Sequence, residues 1–301
     1  MTSRLDWAVF VALGFMWGSS YLFIKLAVDD FGTFTLVALR LAVGAALLWT
    51  IFLFSRKRLP RSARIYGHLA VMGALNIAIP FALITWAERD TSSALAAILT
   101  SLVPLFAAVL APAFLPDEPL RINAIGGLGI GFAGVVVLTG GAGNATALLA
   151  AIALVLSALS YGAGAVYARR NVRGLDPMVP AVLQVTIAGI YTAAIALALE
   201  SPWLARPDGE AVFSILWLGI LGSGLAYLAA FRLLQRWGAT RMTAVAYIIP
   251  VFGVAFGWLV LREPVGPNTL VGTALILAGI GLVNSRYGRR ILIGSPASAR
   301  A

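Results

Sequence analysis

Two stretches of this chain carry the same landmarks in the same order. Pro104 to Leu138 reads PLFAAVLAPAFLPDEPLRINAIGGLGIGFAGVVVL, and Pro250 to Val283 reads PVFGVAFGWLVLREPVGPNTLVGTALILAGIGLV. Glu118, Pro119, Asn123, Gly127, Ala133 and Gly134 return as Glu263, Pro264, Asn268, Gly272, Ala278 and Gly279, each 145 positions later. The leading prolines are 146 apart, so the connecting turn differs by one residue. A period of this length restricts the fold to architectures made of two like units. The expected units are residues 1–143 and 144–301.

What those units are made of follows from hydropathy. The chain is 60% apolar, with a mean hydropathy of +0.93 and only 11% charged residues. A water-soluble domain of 301 residues cannot hide that much apolar surface. Long apolar runs between short charged turns predict an all-α polytopic membrane protein. Its ten spans fall at about 6–28, 33–55, 65–87, 92–115, 122–140, 145–168, 177–199, 211–234, 240–261 and 267–285. The N-terminal run lacks a small-x-small cleavage site and is read as a retained first span, not a signal peptide. With no cysteine, disulfides and thiolate metal sites are excluded, and the lone His68 builds no metal cluster. No cofactor is implied.

The net charge of +10 is explained by topology and does not require a nucleic-acid partner. With the N-terminus in the cytoplasm, 17 of the 22 basic residues fall on the inner side. Only Arg89, Arg206 and Arg262 fall outside, and Lys25 and Arg40 lie within spans. An error of one span would scramble that asymmetry, so both termini are expected in the cytoplasm. Five spans per unit is an odd number, and the second unit must therefore cross in the opposite sense. Early landmarks extend the duplication at an offset of 144: Trp17-Gly18-Ser19 with Tyr161-Gly162-Ala163, Lys25 with Arg169, and Arg40 with Gln184. Inverted repeats are characteristic of secondary transporters, whose sites lie near the midplane where the halves meet.

The Pro…Glu-Pro…Gly pattern closing each five-span repeat resembles the EamA-type transporters of the drug/metabolite transporter superfamily, over nearly the whole chain. The resemblance implies export of amino acids, other metabolites or drugs. Within the family the chain is similar to bacterial exporters of aromatic and other neutral amino acids. Short loops and an Ala/Arg-rich composition, with the resemblance, imply a bacterial inner membrane. The partners implied are a small-molecule substrate and the lipid bilayer, with no nucleic acid and no obligate protein partner.

The candidate site residues lie at mid-depth. Pro80, Pro104 and Pro250 each remove a backbone donor, so each marks either a kink absorbed by neighbours or a hinge beside a pore. Asn76 shares a face with Pro80 and is either inter-helix glue or a substrate ligand. Gly222-Ser223-Gly224, followed by Tyr227, occupies the corresponding depth in span 8. Trp17 and Tyr21 share one face of span 1, and Ser157, Ser160 and Tyr161 mirror them in span 6. These aromatics are packing residues or cavity walls, and Tyr247 joins them on its spacing to Pro250. Trp7, Trp49, Trp203 and Trp237 read as interfacial anchors. Arg40, about 10 Å into span 2, either snorkels outward toward Asp29, Asp30, Glu88 or Asp90 or anchors a substrate carboxylate. Gln184 is its neutral counterpart, and Lys25 is expected to snorkel. Gly127–Gly131 and Ala274–Ala278 are candidate small-residue seams.

No Asp or Glu falls in mid-span, and Glu118 and Glu263 sit at turns. The expected cavity is therefore neutral and partly apolar, with no proton relay, suited to exporting aromatic and other neutral amino acids by alternating access. Two other readings remain. One is an exporter of drugs or organic cations, which would want a buried carboxylate. The other is a lipid scramblase, which would want a polar groove open to lipid. No nucleophile, metal or acid/base set supports an enzyme.

Overall fold

A computed structural model describes residues 4–55, 57–115, 118, 120–140, 145–172, 174–237 and 244–285. The expected boundary at 143/144, Pro119 of the repeated Glu-Pro pair and the basic tail 286–301 lie outside the described residues. The chain is all-helical: α1 Arg4–Ala27, α2 Thr33–Phe54, α3 Ala63–Ala87, α4 Ser93–Phe114, α5 Ile122–Thr139, α6 Ala145–Asn171, α7 Met178–Leu199, α8 209–237, α9 Val245–Leu259 and α10 Pro267–Asn284. Among the described residues nine of these are long and apolar enough to cross a membrane. The described part of α9 is a shorter apolar helix of 15 residues, and 240–243, with which its expected span begins, are outside the described set. The protein is a multi-pass membrane protein.

Glycine contacts fix how the two five-helix units sit together. A Cβ on Gly127 of α5 would lie 2.6 Å from the Gly279 carbonyl of α10, and one on Gly279 would lie 2.5 Å from the Gly127 carbonyl. One on Gly134 would lie 2.8 Å from Gly272 O, and one on Gly272 2.9 Å from Gly134 O. The early part of α5 thus meets the late part of α10, and these repeat-equivalent helices run antiparallel. Only a two-fold axis perpendicular to the helices, in the membrane plane, relates two like units in that way. The second repeat is therefore inverted relative to the first.

The remaining contacts come in swapped pairs about the same axis. Helix α1 packs on α9 as α6 packs on α4, α1 on α8 as α6 on α3, and α2 on α8 as α7 on α3, while α2 meets α7 across the axis. The correspondence reaches individual atoms. Gly18 lies against Phe252 Cβ (2.5 Å from an added Cβ) and Ile249 O (3.0 Å), and Gly162 against Phe106 Cβ (2.9 Å) and Ala107 N (3.0 Å). Small residues thus let backbones approach where lipid offers no hydrophobic drive. The seam differs in place from Ala274–Ala278, both of which are exposed. It runs instead through Gly272, Ile276 and Gly279, the buried stripe of α10.

Polar ties cross between the halves at both ends. At the basic end Asp6 pairs with Arg232 and Arg236, Lys57 with Asp176, and Arg169 with Glu118, and His68 Nδ1 is 2.8 Å from the Tyr167 hydroxyl. The hydrogen bond from Lys57 holds the Asp176 carboxyl below the usual carboxylate range. At the charge-poor end Glu200 accepts from Phe34 N, Thr35 N and Thr35 Oγ1 at 2.9, 2.8 and 2.7 Å, capping α2. Glu263 caps α4 in the same way, accepting from Ser93 N, Ala94 N and Ser93 Oγ at 2.8, 3.0 and 3.1 Å. Trp49, expected as a surface anchor, instead donates to Thr186 Oγ1 at 2.9 Å and joins α2 to α7.

If the glycine seam holds the halves, Gly279→Ala must push two backbones apart. It should lower stability by about 1–3 kcal/mol, read as thermal unfolding of the purified protein in detergent. Gly129→Ala, where an added Cβ meets nothing within 4 Å, should not lower the midpoint.

Candidate functional site

Three helices are irregular at mid-depth, and the chemistry gathers around their irregularities. In α3 the turn Ala74–Ala78 is π-helical, with Ile79 N reaching back to Ala74 O. Pro80 then has no N–H to offer, so the Leu75 carbonyl loses its helical donor. Ser160 of α6 supplies one from the other half, its Oγ donating to Leu75 O at 2.8 Å. The repeat-equivalent helix α8 carries a π-helical stretch, Leu218–Leu225, at the matching depth without a proline. Helix α4 breaks at Ser101 and Leu102, just before Pro104. The hydroxyls of Thr100 and Ser101 cover carbonyls there, donating to Ala96 O (2.7 Å) and Ile98 O (2.6 Å).

Each π turn receives one polar side chain from the second helix of the opposite half. Arg40 of α2 is 2% exposed and donates from Nε to Ser223 Oγ in the α8 turn at 3.3 Å. Gln184 of α7, its repeat counterpart, is 3% exposed and accepts from Asn76 Nδ2 in the α3 turn at 3.3 Å. Asn76 fits only because position 164 is glycine, since a Cβ there would lie 1.9 Å from its Oδ1.

Arg40 is the centre of the larger cluster. Its guanidinium carbon stands 4.2 Å above the Phe81 ring, a cation–π contact from α3. A Cβ on Gly222 would lie 3.1 Å from its Nη2 and 2.8 Å from Ser20 Oγ, so α8 approaches here without a side chain of its own. The hydroxyls of Tyr21, Tyr161 and Tyr227 and the carboxyl of Glu88 are the ionisable groups in its surroundings. Tyr21 donates to Thr100 Oγ1, and the Trp17 and Tyr227 rings meet edge to face at 6.3 Å. Four helices, two from each half, therefore surround the cation carried by α2. Among the described residues the guanidinium makes a single hydrogen bond, to Ser223, out of five donors.

This corrects one expectation, for the centre is not neutral. Arg40 points inward rather than snorkelling toward the acidic residues at the charge-poor end. Lys25 does go to that end, donating to Glu88 O at 2.6 Å and Arg89 O at 3.3 Å, just past the last residue of α3. Trp17, Tyr21, Arg40, Tyr161, Ser223 and Tyr227 come together, with the Asn76–Gln184 pair beside them. Tyr247 is turned away, its hydroxyl accepting from Asn284 Nδ2 at 3.0 Å at the end of α10. Phe81, Thr100 and Gly164 were not singled out by sequence. Volume and chemistry also separate here: a groove of about 390 Å3 lies between α9 and α10, lined by Pro250, Val254, Thr273 and Leu277. Its rim residues Val251 and Leu270 are well exposed, so it faces the surroundings and not the Arg40 cluster.

An inverted pair of five-helix units with broken helices and polar groups converging at mid-depth defines a secondary transporter. The comparisons give the family. The EamA-like transporter family matches residues 7–140 and again 148–285. The chain belongs to this family of the drug/metabolite transporter superfamily, and it is a transporter and not an enzyme. It is 26% identical over 247 residues to the "Uncharacterized inner membrane transporter YedA" of Escherichia coli K12, covering 82% of this chain and 79% of that protein. It is 25% identical over 295 residues to the "Probable terminal-alkyne amino-acid exporter" of Streptantibioticus cattleyicolor, covering 98% of each. A solved crystal structure superposes with a TM-score of 0.68 at 21% identity, covering 93% of this chain and 96% of that one.

Ser160→Ala leaves the Leu75 carbonyl without its donor in a water-poor interior. It should cost about 1–3 kcal/mol of stability, measurable as a lower thermal midpoint. Thr50→Ala gives the comparison: its hydroxyl, at an exposed position, bonds only the Ala46 carbonyl of its own helix, and its loss should change little.

Proposed function

We propose that this transporter exports aromatic and other neutral amino acids by alternating access, with the substrate carboxylate held by Arg40. The observation that carries the reading is the buried guanidinium with one protein hydrogen bond. A cation enclosed by both halves is costly unless an anion visits it, and a carboxylate is the anion its planar fork fits. Trp17, Tyr21, Tyr161 and Tyr227 supply apolar faces for an aromatic side chain. Ser223, Asn76 and Gln184 supply acceptors for the ammonium group.

Alternating access draws support from a difference between equivalent residues. Glu263 caps α4 at the charge-poor end, while its repeat counterpart Glu118 pairs with Arg169 at the basic end. Two copies of one unit in unlike contacts are what a single state of a two-state device holds. Pro80, Pro104 and Pro250 are the proposed hinges, since each sits where a helix is irregular or lines a groove. The amino-acid exporter among the relatives supports the substrate class, and the inner-membrane relative supports a bacterial inner membrane. In this reading the basic end is the cytoplasmic one, with both termini there and the charge-poor end outside.

An exporter of organic cations is disfavoured by the same residue, because Arg40 repels what such a site must bind. A scramblase is disfavoured because the polar side chains converge between the halves and not on a lipid-facing surface.

Liposomes containing the purified protein should take up labelled phenylalanine saturably without an imposed ion gradient. Phenethylamine, the same molecule without its carboxylate, should not compete. Arg40→Gln should raise KM by at least about tenfold, the loss of one charge-assisted contact. Competition by phenethylamine equal to that by phenylalanine, or unchanged KM in Arg40→Gln, would overturn the assignment.

A further inference from the structure

Glu88 follows the last residue of α3 and reads in sequence as a loop carboxylate, yet it is 0% exposed. Both of its carboxyl oxygens are buried without a hydrogen-bond partner among the described residues, and so is the hydroxyl of Thr85, three residues earlier. Those two side chains lie on one face of the α3 terminus. Together they place three orphaned polar atoms inside the charge-poor end.

Among the described residues no charged group around Glu88 gives its carboxyl a hydrogen bond. From α1, Lys25 gives its ammonium to the backbone oxygens of Glu88 and Arg89. From α2, Arg40 is turned to Ser223. Beside Glu88 itself, Arg89 donates from Nη2 to Phe31 O at 3.0 Å, and Asp90 is exposed. From the turn between α9 and α10, Glu263 brings a second carboxylate, committed to the cap of α4. The fields of Lys25, Glu263 and Arg40 all reach Glu88. Lys25 and Arg40 attract the carboxylate and Glu263 repels it, but among the described residues no donor bonds its oxygens to replace the water it has lost. A metal cation would find too few oxygens there, with the Lys25 ammonium beside it. A proton needs neither room nor further ligands.

We propose that Glu88 is a proton-binding site that is loaded when the charge-poor end of the transporter closes. The proposal rests on the alternating-access reading. When that end opens, Glu88 meets water and ionises, and its proton goes to the outer solution. When it closes, the carboxylate takes one proton back from the same side as it is desolvated. The closed state binds the proton more tightly than the open state, so acid favours closure. Closure is progressively lost as the pH rises above the range of a solvated carboxylate. The proton enters and leaves on one side, so it gates transport without being carried across.

The chain has no cysteine, so Thr91→Cys in the first half and Ser201→Cys in the second can be spin-labelled in lipid nanodiscs and their separation measured. Between about pH 8 and about pH 5 the ratio of short to long distances should rise by at least about tenfold. In the Glu88→Gln background, which mimics the neutral acid, short distances should dominate at both pH values. Should that variant not fold, infrared spectra of the unsubstituted protein at neutral pH should contain the C=O stretch of a protonated carboxyl, and Glu88→Asp should shift it. A distance distribution that ignores pH, an unaltered pH response in Glu88→Gln, or absence of the protonated-carboxyl band would overturn the proposal. The labels report closure without substrate. Failed amino-acid uptake with intact acid-driven closure would therefore count against the proposed substrate and leave Glu88 standing.

Discussion

In the bilayer interior there is no water to complete a broken hydrogen bond, and every irregularity in this chain has to be answered by protein. That constraint organises the structure. The proline of α3 frees a carbonyl, and a serine from the other half takes it. The break in α4 is lined by the hydroxyls of its own broken turn. The repair in α3 needs a helix of the other repeat to face it, so that irregular turn sits at the interface between the halves. The proposed substrate path runs through the same place, where polar backbone and side chains are enclosed between the halves.

The inverted two-fold explains why the polar residues come in matched pairs that are chemically unlike. Arg40 and Gln184 occupy equivalent positions and each reaches the π turn opposite, but one carries a charge and the other does not. The duplication supplied the geometry, and divergence supplied a cation on one side of the centre and an amide on the other. A zwitterion has this polarity. Glu263 and Glu200 cap helices at the charge-poor end, while Glu118 makes a different contact at the basic end; in the alternating-access proposal these are the contacts of one state.

Much of the architecture was legible in sequence because the repeat is long and the charges lie in turns. Inversion followed from an odd number of spans, and the equivalences of Gly18 with Gly162 and Arg40 with Gln184 are repeated in atomic contacts. The misses share a cause. Pro80 advertised the irregular turn in α3, but the π stretch in α8 has no proline and shows only as Gly222-Ser223-Gly224. Spacing to Pro250 placed Tyr247 at a plausible depth without deciding its azimuth, and the side chain points to Asn284. Glu88 looked like a solvated loop residue because its burial depends on what packs over the end of α3, which one-dimensional hydropathy does not carry. Arg40 was recognised, but whether it pointed outward or inward depended on Phe81 and Ser223, contributed by other helices.

The central claim is that Arg40 receives the substrate between the two halves. A structure of the protein with phenylalanine bound tests it most directly. The expected result is a carboxylate within hydrogen-bond distance of the Arg40 guanidinium, with the ring against Trp17, Tyr161 or Tyr227. Phenylalanine seated instead in the groove between α9 and α10, with Arg40 still turned only to Ser223, would contradict it.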